Sequence, residues 1–241
     1  MPHFATVWFQ LAATPLLSLT ATLAVYLLAH AFYTRCHFAP WANPVLWSMA
    51  LIVLLLWAAR VPYASYFAGA QFIHFLLGPA VVALAWPMWQ RRAALRAGWA
   101  RLLLAALAGG VAACASAVGL AWALGLPHDI VLSLAPKSVT TPVAMGVADA
   151  LGGIPALAAV FAIVTGLVGA LSGKYLFALL RIPATPAGWV ARGFALGTAA
   201  HGIGAARALQ VHEEAGAYAG VALGLQVVLA AVLIPLAFRL L

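Results

Sequence analysis

Acidic residues are nearly missing from this sequence: four Asp and Glu stand against twelve Lys and Arg, and charged residues make up only 7% of the 241. A soluble globular domain is about a quarter charged, so this composition cannot build a water-soluble surface. Cysteine is just as scarce. Cys36 and Cys114 are the only two, and Cys114 lies inside an apolar run, which excludes a disulfide framework. No cluster of His, Cys, Asp or Glu has metal-ligand spacing, and the glycine-rich stretches lack the strand and helix context of a phosphate loop. Neither a metal nor another cofactor is expected. The net charge of +8 invites a nucleic-acid reading, but the basic groups sit at the ends of apolar runs and not in a stripe on a polar face. An enzyme is not expected either. Lys137 beside Ser138 suggests a dyad, yet neighbours on an extended segment point to opposite sides, and no His or acidic orienter is close in sequence.

What the sequence does have is apolar length. It is 66% hydrophobic, with a mean hydropathy of +1.08, and crossing roughly 30 Å of hydrocarbon takes about 20 helical residues. Leu102–Leu124 and Ile154–Gly173 carry no charge, and Ala217–Phe238 has Gln226 as its one strongly polar side chain. Leu11–Ala29 is a fourth span and Pro44–Ala59 a shorter fifth. Phe72–Trp89 is the sixth, the second half of an uncharged stretch punctuated by Pro62, Pro79 and Pro87. The first half of that stretch, with Tyr63, Tyr66 and Gln71, reads as an interfacial or re-entrant piece. The start, Met1-Pro2-His3-Phe4, lacks the basic region and cleavage site of a secretory signal, so Leu11–Ala29 is expected to remain as a span.

Arg91, Arg92, Arg96 and Arg101 fill the connection before Leu102–Leu124, and the positive-inside rule places them in the cytoplasm. Lys174 and Arg181, after Ile154–Gly173, belong on the same side. The stretch 125–153 must then begin and end outside, and it is too short for two spans and a turn, so it reads as a re-entrant or broken helix. Such an element is tolerated at membrane depth only where it is buried in protein or lines a wet cavity. The stretch 182–216 repeats the situation from the inner side, with Arg192, His201 and Arg207 in apolar, glycine-rich surroundings. Span plus broken element, twice and in opposite orientation, is the pattern of an inverted repeat, a common way to build alternating access. The expected fold is an all-α polytopic membrane protein with six or more spans and two broken elements. Residues 1–101 would form a scaffold or oligomerisation part and residues 102–241 a transport core. The pairs Gly169/Gly173, Gly193/Gly197 and Gly220/Gly224 permit close helix packing.

The least membrane-like run is Pro136-Lys137-Ser138-Val139-Thr140-Thr141-Pro142. Thr141 before Pro142 reads as an N-cap with proline at the first helical position, so a helix is expected from there to about Ala150. Its free N–H groups, the hydroxyls of Ser138, Thr140 and Thr141, and the Lys137 ammonium form a cradle for a carboxylate. The alternative is a solvated loop with Lys137 in water. The second run is Gly197-Thr198-Ala199-Ala200-His201-Gly202-Ile203-Gly204, where glycine on both sides of a histidine lets the backbone unwind. His201, with Thr198 and Gly202, could face an anion or carry a coupling proton. It could equally be a structural histidine bonded to a carbonyl of a neighbouring helix. Arg192 and Arg207 are secondary candidates, with snorkelling to the headgroups as their default, and Asn43 is a weaker one. Glu213 and Glu214 read as a solvated connection before the last span.

At these runs the sequence resembles the LrgB/CidB family, antiholin-like membrane proteins related to a plastid glycolate/glycerate translocator. The resemblance is strongest over Leu134–Met145 and the following Leu151-Gly152-Gly153-Ile154-Pro155. It extends to Phe75–Ala85, to Ala191-Arg192-Gly193, and through Gly197-Thr198 to His201. It departs at Ala200 and Ala205, where the family pattern has hydroxyl side chains. The resemblance implies transport of small monocarboxylates such as pyruvate, glycolate, glycerate or lactate, and in bacteria a link to autolysis. An inner-membrane location, a homodimer and a small LrgA/CidA-type membrane partner accompany it. The competing expectation is a holin-like regulator of permeability without a defined substrate.

Overall fold

The computed structural model describes residues 15–76, 79, 82, 85–90 and 92–240. These fall into two compact units, Met1–Ala83 and Leu84–Leu241, and all the regular structure among the described residues is helical.

The first unit contains α1 (Pro15–Arg35), α2 (Pro44–Ala59) and α3 (Tyr63–Phe75), with one 3-10 turn at Pro40–Ala42. Helix α1 packs against both others, and Thr22 Oγ1 meets the Tyr66 hydroxyl at 2.8 Å. The bounds of α2 are those expected. Asn43 starts it, its Oδ1 accepting from the Val45 N–H at 2.9 Å, and Pro44 follows at a position where a missing N–H costs nothing. Arg60 ends it in the left-handed conformation, φ 54°. Helix α3 has 13 residues, about 20 Å of rise, and is too short to cross hydrocarbon. Of the sixth expected span, Phe72–Trp89, residues 77, 78, 80, 81, 83 and 84 lie outside the described residues, and the described parts fall in the end of α3 and in the short helix that opens the second unit.

The second unit runs α4 (Ala85–Gln90), α5 (Arg92–Ala123), α6 (His128–Leu134), α7 (Thr141–Leu151), α8 (Pro155–Leu179), α9 (Pro186–Val211) and α10 (Glu213–Leu240). Among the described residues, five helices are long and apolar enough to cross a membrane: α1 from Leu16, Pro40–Ala59, α5 from Leu95, α8 and α10. The membrane class read from composition therefore holds.

Two expectations are corrected. Arg92, Arg96 and Arg101 do not form a loop, because α5 already begins at Arg92; Ala and Arg are strong helix formers, and the charged heads can snorkel from the helix end; Arg91 lies outside the described residues. Glu213 and Glu214 are not a loop but the first turn of α10, where carboxylates complement the positive end of the dipole. The stretch 182–216 is the second broken element: α9 is two helical segments, one from Pro186 and one to Val211, that meet at the non-helical His201. A single extended residue, His212, separates α9 from α10.

Glycine explains how these helices approach. A methyl on Gly193 or Gly197 would overlap the carbonyl oxygen of Ala215 or Ala219 on α10, so these two glycines make the α9–α10 seam. Gly169 on α8 faces Ala200, with only 2.5 Å left for a methyl, and Gly173 faces Leu196. Gly224 meets nothing within 4 Å, so that glycine makes no close approach.

Candidate functional site

Between α5 and α8 the chain makes a hairpin of two short limbs. Helix α6 has 7 residues and α7 has 11, about 10 and 16 Å of rise, so neither crosses. The turn between them is closed by Lys137 N–H donating to Leu134 O and Val139 N–H to Pro136 O, both at 3.1 Å. Ser133 fastens the limbs. Its buried hydroxyl donates to Asp129 O at 2.6 Å and accepts from the Ile154 N–H, just beyond α7, at 2.7 Å. The strand-free hairpin thus carries residues 135–140 at its tip. Packing beneath it comes from Val139, Ala144 and Ala148 against Ala158 and Ala162 of α8 and Ala230 of α10. This is the broken element expected over 125–153.

The helix start differs from expectation by one residue. Thr140, not Thr141, is the N-cap of α7, Thr141 is its first residue and Pro142 its second, and no side chain caps it. Lys137 and Ser138 do not point apart. The tight turn replaces the extended segment that argument assumed, and the Lys137 ammonium donates to Ser138 Oγ at 3.1 Å. Lys137, Ser138, Thr140 and Thr141 are all half-buried, so the turn is not a loop lying free in water.

His201 is where α9 breaks. Its φ of 41° and ψ of −131° are non-helical, a conformation costly for any residue but glycine, and the flanking Gly202 is not the residue that bends. The imidazole is 3% exposed, with Nε2 2.8 Å from the carbonyl oxygen of Ala162. A carbonyl only accepts, so Nε2 carries the proton and donates. Gly166 makes the room, since a methyl there would lie 2.9 Å from the ring. Of the two readings of His201, the geometry realises the one bonded to a neighbouring helix. The same Ala162 packs its side chain beside Val139, so the hairpin tip and the α9 break meet α8 at one level.

The other candidates scatter. Thr198 is 6% exposed and turns towards α5, its Cγ2 2.7 Å from where a methyl on Gly109 would stand; its hydroxyl has no hydrogen-bond partner. Gly202 borders open space. Arg192 donates through Nη2 to Ile182 O and lies over the rings of Trp189 and Phe177 at 4.8 and 5.8 Å. Arg207 is buried. Asn43 belongs to the first unit and is occupied in capping α2.

A cavity of about 550 Å³ opens between α5 and α10, with Pro136, Ser138 and Val139 in its wall. Two further polar groups line it, Cys114 and Gln226, and the rest is apolar. Sequence reasoning did not assign Ser133 or Gln226 to a site. Gln226 was visible as the one polar residue of its span; nothing local marks Ser133, whose partner is 21 residues away.

A multi-pass helical membrane protein that holds a lysine-bearing hydroxyl turn at the tip of a broken hairpin is the class these features define. The family described as LrgB-like matches residues 22–240, and the chain belongs to it. It is 36% identical over 227 residues to the Bacillus subtilis "Uncharacterized protein YxaC", covering 94% of this chain and 96% of that one. It is 30% identical over 196 residues to the "Holin-like protein CidB" of Staphylococcus aureus, covering 81% and 84% of the two chains. No solved structure matches it.

Proposed function

We propose that this chain sets the permeability of the bacterial inner membrane to small solutes, in the holin-like sense of its CidB relatives' name, and that the solutes it favours are small monocarboxylates. The coarser half rests on family membership and on the apolar helices. The finer half rests on one observation, the half-buried Lys137 ammonium bonded to Ser138 at the uncapped start of α7. An ammonium withdrawn from water needs an anion or several acceptors. A carboxylate offers both, and the hydroxyls of Ser138, Thr140 and Thr141 would satisfy its remaining lone pairs.

In this reading the solute is moved and not chemically changed. Residues 102–241 do the moving, residues 1–101 support or dimerise, and the hairpin and the broken α9 act as inverted counterparts in alternating access. A small LrgA/CidA-type companion belongs to the same proposal. The second reading, permeability without a preferred solute, is favoured by the word holin-like and by the largely apolar wall around Ser138.

Liposomes carrying the purified protein separate the two. Uptake of labelled pyruvate and glycolate should saturate, compete, and fall at least tenfold in Lys137→Ala, the scale of one lost charge-assisted contact. Non-saturating release of a trapped uncharged dye, unchanged by Lys137→Ala, would leave permeability alone and discard the carboxylate.

A further inference from the structure

Ser138 of the hairpin tip and Gln226 of α10 line one cavity, and the packing brings them close. Val139, next to Ser138, packs against Ala230 of α10, and Gln226 precedes Ala230 by four residues, one helical turn on the same face and about 6 Å of rise. Gln226 is 4% exposed and donates one amide hydrogen to Ala106 O of α5 at 2.6 Å. A carbonyl only accepts, so the amide nitrogen must lie towards Ala106 and Oε1 away from it. Gly110 makes the room: a methyl there would lie 2.7 Å from Oε1 and 3.1 Å from Nε2. Among the described residues no donor reaches Oε1, and the second Nε2 hydrogen likewise finds no acceptor. A brace between α5 and α10 needs only the one bond. It leaves a donor and an acceptor side by side on one amide at the wall of a largely apolar cavity, where unpaired polar groups are costly. Such a pair in a native fold calls for a partner that both donates and accepts.

We infer that Gln226 is a specificity-determining residue, which reads the 2-hydroxyl of a hydroxy acid whose carboxylate is held at Lys137 and Ser138. The inference rests on the carboxylate reading and adds to it the class of carboxylate. A hydroxyl donates one hydrogen and accepts others, so it satisfies Oε1 and the spare Nε2 hydrogen together. A 2-oxo group only accepts, and an unsubstituted carbon does neither, so both leave Oε1 unpaired. The 2-hydroxyl stands on the carbon next to the carboxylate, in keeping with the single turn that separates Gln226 from the level of the hairpin tip. The largely apolar remainder of the wall suits the hydrocarbon part of the solute. A site built to hydrogen-bond a hydroxyl rejects the analogue lacking it more sharply than an apolar pocket rejects a change of size.

The test is competition against uptake of labelled pyruvate in proteoliposomes. Lactate and propionate differ by one hydroxyl at the carbon in question, and so do glycolate and acetate. In the parent, each hydroxy acid is expected to inhibit at about tenfold lower concentration than its partner, the size of one hydrogen bond. Gln226→Met, close in volume but without the amide, should bring both ratios near one, whereas Lys137→Ala should weaken all four acids alike. Saturable, Lys137-dependent uptake with ratios near one in the parent would mean that the amide holds only water. That result, or lower uptake at unchanged ratios in Gln226→Met, the mark of a lost brace, would overturn this inference and leave the carboxylate reading standing. Non-saturable uptake that none of the acids inhibits would remove both. Should Gln226→Met not fold, Gly110→Ala presses a methyl onto the same amide and is expected to lower the ratios; unchanged ratios there count equally against the inference.

Discussion

Ser133 shows how much one buried hydroxyl can hold. It satisfies the Ile154 N–H, three residues beyond α7, while giving its own proton to α6, so Ser133→Ala leaves that N–H without its acceptor. The expected cost is about 1–3 kcal/mol, read as a lowered melting temperature in detergent, with Ser133→Thr recovering part of it. Gly153→Ala should be destabilising too, because its methyl would sit 2.9 Å from the Ser133 backbone nitrogen. Individual polar residues were legible in the sequence wherever they interrupted apolar text, as with Lys137, Thr140, Thr141 and His201. What each one binds was less legible. Lys137 and Ser138 were expected to diverge because the backbone between them was taken as extended, and a tight turn reverses that. Ser133 gave no sign, because serine inside a helix is ordinary and its partner is fixed only by tertiary packing.

At the scale of helices, glycine placement decides what can approach what. Gly197→Val would drive a branched side chain into the Ala219 carbonyl across the seam. It is expected to prevent recovery of monodisperse protein, measured by size-exclusion chromatography. The break in α9 allows a finer comparison. His201 holds a φ of 41° against its own steric preference, at about 1–3 kcal/mol, and returns about 1 kcal/mol through Ala162. His201→Ala keeps the strain and loses the bond, whereas His201→Gly loses both. The glycine variant is therefore expected to melt higher than the alanine variant in a thermal scan, and an inverted order would remove backbone strain from the account of the kink. The sequence marked this place correctly as a break, through its flanking glycines. The element's extent was less legible: helix continues on both sides of the break, from Pro186 to Val211, although Arg192, His201 and Arg207 interrupt the apolar text.

For the second unit as a whole, the charges and the helix directions agree. Helix α5 begins at Arg92, α8 carries Lys174 near its end with Arg181 just beyond it, and α10 ends with Arg239 in its last turn. A crossing α9 would put all three ends on one face, the cytoplasmic one by the positive-inside rule. In a background lacking native cysteines, Arg96→Cys, Lys174→Cys and Arg239→Cys should react with a membrane-impermeant maleimide only after the inner face is opened. Pro127→Cys and Glu213→Cys should react in intact cells. Labelling of Arg239→Cys from outside would mean that α9 turns back. Span number in the apolar runs was readable from length alone, but parity past residue 182 was not, since hydropathy cannot distinguish a polar helix that crosses from one that returns.

The one-residue joint at His212 has a mechanical meaning. Two helices sealed backbone to backbone along Gly193 and Gly197, and tethered without slack at one end, have no freedom to slide past one another. They travel as a single beam. Movement in the second unit is then confined to bending of the beam where α9 is already bent, or to its swing relative to α5, and the chamber beside α5 is the space that such a swing would widen or shut.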